Sequence, residues 1–124
     1  MVRYVFGLLG SGCRRDSRKK WNALLTGHKV NGFVDFYRTI TENDLELRLS
    51  EMFLHGRVGY VLEAPLQKPV QKMLDRLSLS AKKRKRVDTI VNERGVLVGY
   101  FLGGLSSEEK MKKQLSLWLE AGST

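Results

Sequence analysis

The stretch FVDFYRTITENDLELRLSEMFLHGRVGYVLE, residues 33–63, carries the clearest fold signal in the chain. Phe33, Val34, Phe36, Tyr37 and Ile40 are β-formers, and they predict a strand over 33–40. Thr41-Glu-Asn-Asp44 then has capping-box spacing, while Leu45, Leu49, Met52 and Phe53 fall at i, i+4, i+7 and i+8. That pattern predicts an amphipathic helix of about three turns, closed by Gly56. Val58, Tyr60, Val61 and Leu62 predict a second strand over Arg57 to Glu63, ended by Pro65.

On the N-terminal side, residues 2–9 form an apolar segment that ends in Gly10-Ser11-Gly12. So short a run does not discriminate helix from strand. Asp16 or Ser17 can cap a short helix running through Leu25 and stopped by Gly27. On the C-terminal side, Pro69 suits a first helical turn, and Val70, Met73, Leu74 and Leu77 make a helical stripe. Ser80 is expected to cap a helix that carries Lys82-Lys83-Arg84-Lys85-Arg86, turns Val87, Ile90 and Val91 inward, and breaks at Gly95. Val96 to Leu102 reads as a third strand or a buried helix, bounded by Gly103-Gly104. Ser106 with Glu109 is a second capping box, ahead of a helix whose inward face is Met111, Leu115, Trp118 and Leu119. The expected class is α+β, a small antiparallel sheet backed by helices.

The chain has 124 residues, 42% of them hydrophobic, which fits one globular domain over 1–124. Its charge is unbalanced: 22 Lys+Arg against 13 Asp+Glu leave +9. Such a surplus concentrates polyanions, of which nucleic acid is the commonest. Cys13 is the one cysteine, so no internal disulfide and no cysteine-based zinc site are expected. His28 and His55 have no sequence partners and read as surface histidines. With no apolar run of spanning length and no cleavage signal after Leu9, the expected compartment is intracellular, and no membrane partner is expected.

The cations cluster. Lys82, Lys83, Arg84, Lys85 and Arg86 form the densest run, read as a phosphate grip, with a nuclear address signal or a solvated helix start as alternatives. Arg14, Arg15, Arg18, Lys19 and Lys20 surround Trp21, which either stacks on an unpaired base or anchors the segment to the core. Phe33, Phe36 and Tyr37 offer a weak stacking platform on one sheet face. Gly10-Ser11-Gly12 lacks the ending of a phosphate-binding loop. Cys13 lacks the arginine that phosphatase spacing requires at position 19, which is lysine. Asp35, Glu42 and Asp44 can bind a divalent metal in principle, although Glu42 and Asp44 suit a helix first turn. No catalytic residue, resident metal or cofactor is expected.

Residues 33–93 resemble the second part of a LAGLIDADG homing-endonuclease domain, in the run Phe36 to Leu47, in Met52 to Tyr60 and in the Lys-rich Leu77 to Asp88. The terminal stretch Leu105 to Gly122 is similar to that family's last helix. The resemblance implies an αββαββα fold in which Tyr4 to Cys13 stands at the signature helix. Gly10, Ser11 and Gly12 occupy the place of the family's metal-binding acid, so binding without cleavage is implied. It also implies a mitochondrial or chloroplast setting, with the nucleus as alternative through Lys82–Arg86.

The function expected from sequence is therefore non-catalytic nucleic-acid binding, RNA favoured over DNA, as a homodimer or within a ribonucleoprotein such as a ribosome. The rival is a metal-dependent endonuclease using Asp35 or Glu42. A third reading is an interaction subunit of a large assembly with an exposed apolar stripe at Val96–Leu102.

Overall fold

A computed structural model describes residues 4–12 and 17–122. Its elements are β1 (Tyr4–Gly10), α1 (Ser17–Gly27), β2 (Gly32–Arg38), α2 (Glu42–His55), β3 (Arg57–Leu62), β4 (Arg76–Leu77), α3 (Leu79–Arg84), β5 (Thr89–Glu93), β6 (Val96–Tyr100) and α4 (Ser107–Gly122). Two short 3-10 turns, Ala64–Leu66 and Pro69–Met73, connect β3 to β4. All six strands form one sheet in the order β2-β1-β3-β5-β6-β4. β1 lies parallel to both β2 and β3, β5 runs antiparallel to β3 and β6, and β4 is parallel to β6.

The sheet is mixed and covered on both faces, not a small antiparallel sheet backed on one side. Leu9, Tyr60, Leu62 and Ile90 pack beneath α2, α3 and the 3-10 turns. Phe6, Leu8, Val34 and Val91 pack against α1 and α4 on the opposite face. This explains the ambiguous N-terminal run. A central parallel strand is buried on both sides and reads as an unbroken apolar string without alternation. A strand at 4–10 also overturns the signature helix that the LAGLIDADG resemblance implies there. Gly7 suits this crowded position, since a Cβ would meet the rings of Tyr37 and Tyr60 at 2.7 Å.

The helix at the heart of the opening stretch forms as its caps predict. The Asp44 amide donates to Thr41 Oγ1 at 3.1 Å, and the Thr41 amide donates to Asp44 Oδ2 at 3.1 Å. Gly56 closes the helix in the left-handed region at φ 62°. Leu45, Leu49 and Met52 are buried, whereas Phe53 is 54% exposed and not part of the inward face. The stripe at 70–77 is not helical. Val70 and Met73 reach the core from a 3-10 turn, and Leu77 does so from β4. Ser78, not Ser80, caps α3, which stops at Lys85, and Val87, Ile90 and Val91 belong to the approach and body of β5. Val96–Tyr100 is a strand with Leu97 and Val98 buried, so the exposed stripe expected of an assembly subunit is not there.

β2 is an edge strand, and edges invite pairing with other chains. Here Asn22 of α1 acts as a surrogate neighbour: its Oδ1 accepts from the Val34 amide at 2.9 Å and its Nδ2 donates to the Val34 carbonyl at 3.2 Å. Asn22→Ala is expected to cost about 1–2 kcal/mol, because it removes the partner of both the Val34 amide and the Val34 carbonyl. A urea midpoint equal to that of the unaltered protein would rule out this role.

On the α2 face, Glu51 joins two arginines, accepting from Arg48 Nη1 at 2.6 Å and from Arg57 Nη1 at 2.8 Å. The Arg57 guanidinium lies 4.0 Å from the centre of the Tyr37 ring. Burial pushes the Glu51 carboxyl up, but the hydrogen bonds and charges of Arg48 and Arg57 outweigh it and hold it below the usual glutamate value. A depressed folded value contributes stability that is full above the unfolded glutamate pKa of about 4.3 and disappears as pH falls through the folded value. The thermal-stability advantage over Glu51→Gln is accordingly expected to be present at neutral pH and to shrink below that window. An advantage that stays constant down to strong acid would contradict it. Burial likewise pushes the Tyr60 hydroxyl up to about 12.

Candidate functional site

The chain path creates a crevice. From β2 on one side of β1, it crosses to β3 on the other side. Parallel crossovers are almost always right-handed, so the helices α1 and α2 fall on opposite faces, as the two cores show. Where crossovers diverge in this way, the carboxyl ends of the strands are left uncovered, and α/β folds bind ligands there. A cavity of about 540 Å³ opens at this place, walled by the ends of β1 and β3, the start of α1, Ala64 and Gln67, Arg86 and Asp88, Phe101 and α4.

Its floor is polar and ordered. Asp88 is 1% exposed. Its carboxylate accepts from the Leu102 amide at 3.0 and 3.2 Å, from Thr89 Oγ1 at 3.0 Å and from Lys110 Nζ at 2.9 Å. Gln114, also buried, donates from Nε2 to Thr89 Oγ1 at 2.8 Å. Gln67 donates to the Leu62 carbonyl at 3.0 Å and accepts from Arg86 Nη2 at 2.6 Å. A buried polar row of this kind costs free energy unless every member is paired, and it confronts the cavity with hydrogen-bonding groups of fixed direction.

The Gly10-Ser11-Gly12 turn at the end of β1 is filled from within. Glu63 takes the Ser11 and Gly12 amides at 3.2 and 3.4 Å, and the Ser11 hydroxyl at 3.2 Å. A side chain at position 10 would collide with that carboxylate.

The residues expected to grip a backbone are scattered. Arg14 and Arg15, like Cys13, lie outside the described residues. Arg18 bonds Asp35 at 3.2 Å, Lys19 is exposed, and Lys20 is exposed at the cavity rim. Trp21 is 2% exposed, its ring 5.0 Å from that of Trp118. It is a core anchor and offers no face to a base. Phe36 packs into the α1 side of the core and Tyr37 lies under Arg57, so neither ring is set out as a stacking face, and Phe33 is half-buried on the same strand. Lys82, Lys83, Arg84 and Lys85 are exposed, but Arg86 turns inward to the cavity. Asp35 and Glu42, the acids of the nuclease reading, are ion-paired to Arg18 and Lys72. Among the described residues, no three or more His, Cys, Asp or Glu side chains group as a metal site, and no helix is long and apolar enough to cross a membrane. His28 and His55 are exposed.

Sequence reading misses Gln67, Asp88, Lys110 and Gln114. Asp88 had a local signal, an acid inside the apolar run Val87 to Val91. The others are ordinary polar residues until the sheet brings them together.

No protein-family model matches the chain. A curated shikimate dehydrogenase (NADP(+)) from Pyrococcus abyssi is 27% identical over 110 residues, 88% of this chain and 40% of that protein. The solved shikimate 5-dehydrogenase of Thermus thermophilus, in complex with NADP(H) and shikimate, superposes with a TM-score of 0.70 at 26% identity, over 78% of this chain and 37% of that one. The Listeria monocytogenes enzyme, in complex with shikimate and NAD, superposes with a TM-score of 0.76 at 20% identity, over 90% and 38%. The chain thus spans about two-fifths of the length of these relatives. These likenesses overturn the LAGLIDADG resemblance, and with it the expectation of a nucleic-acid-binding protein in a ribonucleoprotein. Over the matched stretch, the chain has a shikimate-dehydrogenase-like fold.

Proposed function

We propose that the chain is the substrate-binding part of a shikimate-dehydrogenase-like oxidoreductase, and that its cavity takes a small hydroxylated carboxylate of the shikimate type. The observation that carries this reading is the polar floor at the carboxyl ends of β1 and β3, where Asp88, Lys110, Gln67 and Gln114 converge. Carboxylate and amide oxygens accept from ligand hydroxyls, while the ammonium and amide nitrogens donate to hydroxyl or carbonyl oxygens. Oxidation of an alcohol to a ketone takes a hydride from carbon, to a nicotinamide cofactor of the kind bound in the solved relatives, and a proton from oxygen. Lys110, held at 2.9 Å by buried Asp88, is the group in the cavity best placed to hold that proton.

The two solved relatives named above are in complex with NAD or NADP(H). The turn after β1 does not fit the pyrophosphate of a dinucleotide. The glycine turn that follows β1 has its amides occupied by Glu63, whose charge opposes a pyrophosphate at that place.

Calorimetric titration of the protein with shikimate is expected to give saturable one-to-one binding. A cyclohexane polyol without a carboxylate is expected to bind at least tenfold more weakly, about 1.4 kcal/mol. Absence of saturable heat for shikimate at millimolar concentration would refute the reading.

A further inference from the structure

We propose that Arg86 reads the ligand's carboxylate, so that negative charge on the ligand is the condition for tight binding in this cavity. The proposal rests on the reading of the cavity as a substrate site. It adds a specificity residue that the polar floor alone does not supply.

Arg86 is the last of five consecutive cations and differs from the other four. Lys82 to Lys85 are exposed, whereas Arg86 is half-buried and lines the cavity. The backbone makes the difference. Lys85 sits in the left-handed region at φ 53°, an unfavourable place for a residue with a side chain. The turn is held there from outside: Gln71 Nε2 donates to the Lys85 carbonyl at 2.7 Å, and the Val87 amide donates to the Gln67 carbonyl at 2.9 Å. Backbone strain kept in place by surrounding hydrogen bonds is characteristic of functional positions. Its effect here is to swing Arg86 out of the solvent-facing row.

The guanidinium is then fixed but not neutralised. Nη2 donates to Gln67 Oε1 at 2.6 Å, and the Phe101 ring lies 5.4 Å from the guanidinium carbon. Nε is buried without an acceptor. Among the described residues, the other part-buried cations have carboxylates: Arg48 and Arg57 share Glu51, and Lys110 has Asp88. Arg86 makes no ion pair with any described acid. Of the two acids in the cavity wall, Asp88 is committed to Lys110 and Glu63 to the Ser11–Gly12 turn. A partly desolvated guanidinium without a counter-charge favours an anion brought by a ligand. Its planar fork matches a carboxylate better than a lysine ammonium does.

The test is calorimetry with two probes, shikimate and its neutral primary carboxamide, on the unaltered protein and four variants. The unaltered protein is expected to prefer the acid by about tenfold or more, since a charge-assisted hydrogen bond is that strong. Arg86→Met is expected to lower acid affinity by at least that factor and leave the carboxamide within threefold, which closes the gap between probes. Arg86→Lys should restore part of the preference, as a charge without the fork. Arg86→Gln, which keeps a donor on the same edge without the charge, should likewise weaken the acid alone, which keeps the test valid if Arg86→Met folds poorly. Lys83→Met, in the exposed part of the same run, should change neither affinity. Equal loss of both probes in Arg86→Met, or loss of neither, would overturn the assignment. In those outcomes shikimate still binds the unaltered protein, so the cavity reading survives. If shikimate fails to bind the unaltered protein, both fall.

Discussion

Replacing Trp118 with alanine is expected to destabilise the protein by about 3–5 kcal/mol, the range for removing a fully buried large aromatic. The ring has no exposed surface, stacks on Phe6 at 4.6 Å and meets Trp21 at 5.0 Å. Its Nε1 donates to the Ile90 carbonyl at 3.1 Å, so truncation also leaves a buried carbonyl short of a partner. The side chain therefore ties α4 to β1, α1 and β5 together. β3 is built around it as well, because a Cβ at Gly59 would collide with the indole nitrogen. In a chain of this size, such a loss lowers Tm by more than about 10 °C. The consequence for function follows from the same contacts, since α4 carries Lys110 and Gln114 into the cavity. Shikimate binding is expected to weaken with stability in Trp118→Ala. A Tm within a few degrees of the unaltered protein would show that the α4 face is not organised by this ring.

What the sequence discloses about this fold is what local chemistry determines. α2 is legible because its signals are contained within it: a reciprocal cap at Thr41 and Asp44, a stripe at Leu45, Leu49 and Met52, and a left-handed stop at Gly56. α4 is legible for the same reason, with the Glu109 amide donating to Ser106 Oγ at 3.2 Å. β1 is not, because burial on both faces erases the alternation that marks a strand. The segment 70–77 misleads because a 3-10 turn followed by a short strand delivers apolar side chains at spacings that imitate a helix. The same holds for 87–91, where Lys85 ends the helix in the left-handed region without a glycine to announce it.

The site is less legible than the fold. The surplus of +9 points to a polyanion, yet the cation with a structured environment is Arg86 alone among the five in its run. Charge density along a sequence does not distinguish a solvated row from a side chain folded into a cavity. That difference lies in one backbone dihedral and two glutamine contacts from positions 67 and 71. Trp21 makes the same point in the opposite direction. Cations surround it in sequence, but its ring belongs to the core shared with Trp118.

Asp88 supports the second large effect. Asp88→Ala is expected to cost about 3 kcal/mol, at the lower end for breaking a buried pair, because Lys110 is still 28% exposed and can turn partly to water. The remaining cost is the Leu102 amide, which gives up a doubly accepting carboxylate. Asp88→Asn keeps the shape and one acceptor, and should cost about 1–2 kcal/mol. Both substitutions are expected to abolish measurable shikimate binding, since they free or misdirect the ammonium assigned to the ligand's hydroxyl oxygen. Lys110→Met separates the contributions. If Asp88 serves mainly to hold Lys110, adding Lys110→Met to Asp88→Ala should cost less than the sum of the single changes by about 1 kcal/mol or more. Strict additivity in chemical denaturation would mean that the carboxylate is there for the Leu102 turn and Thr89. The proton-holding role given to the pair would then be lost, even with the rest of the cavity intact.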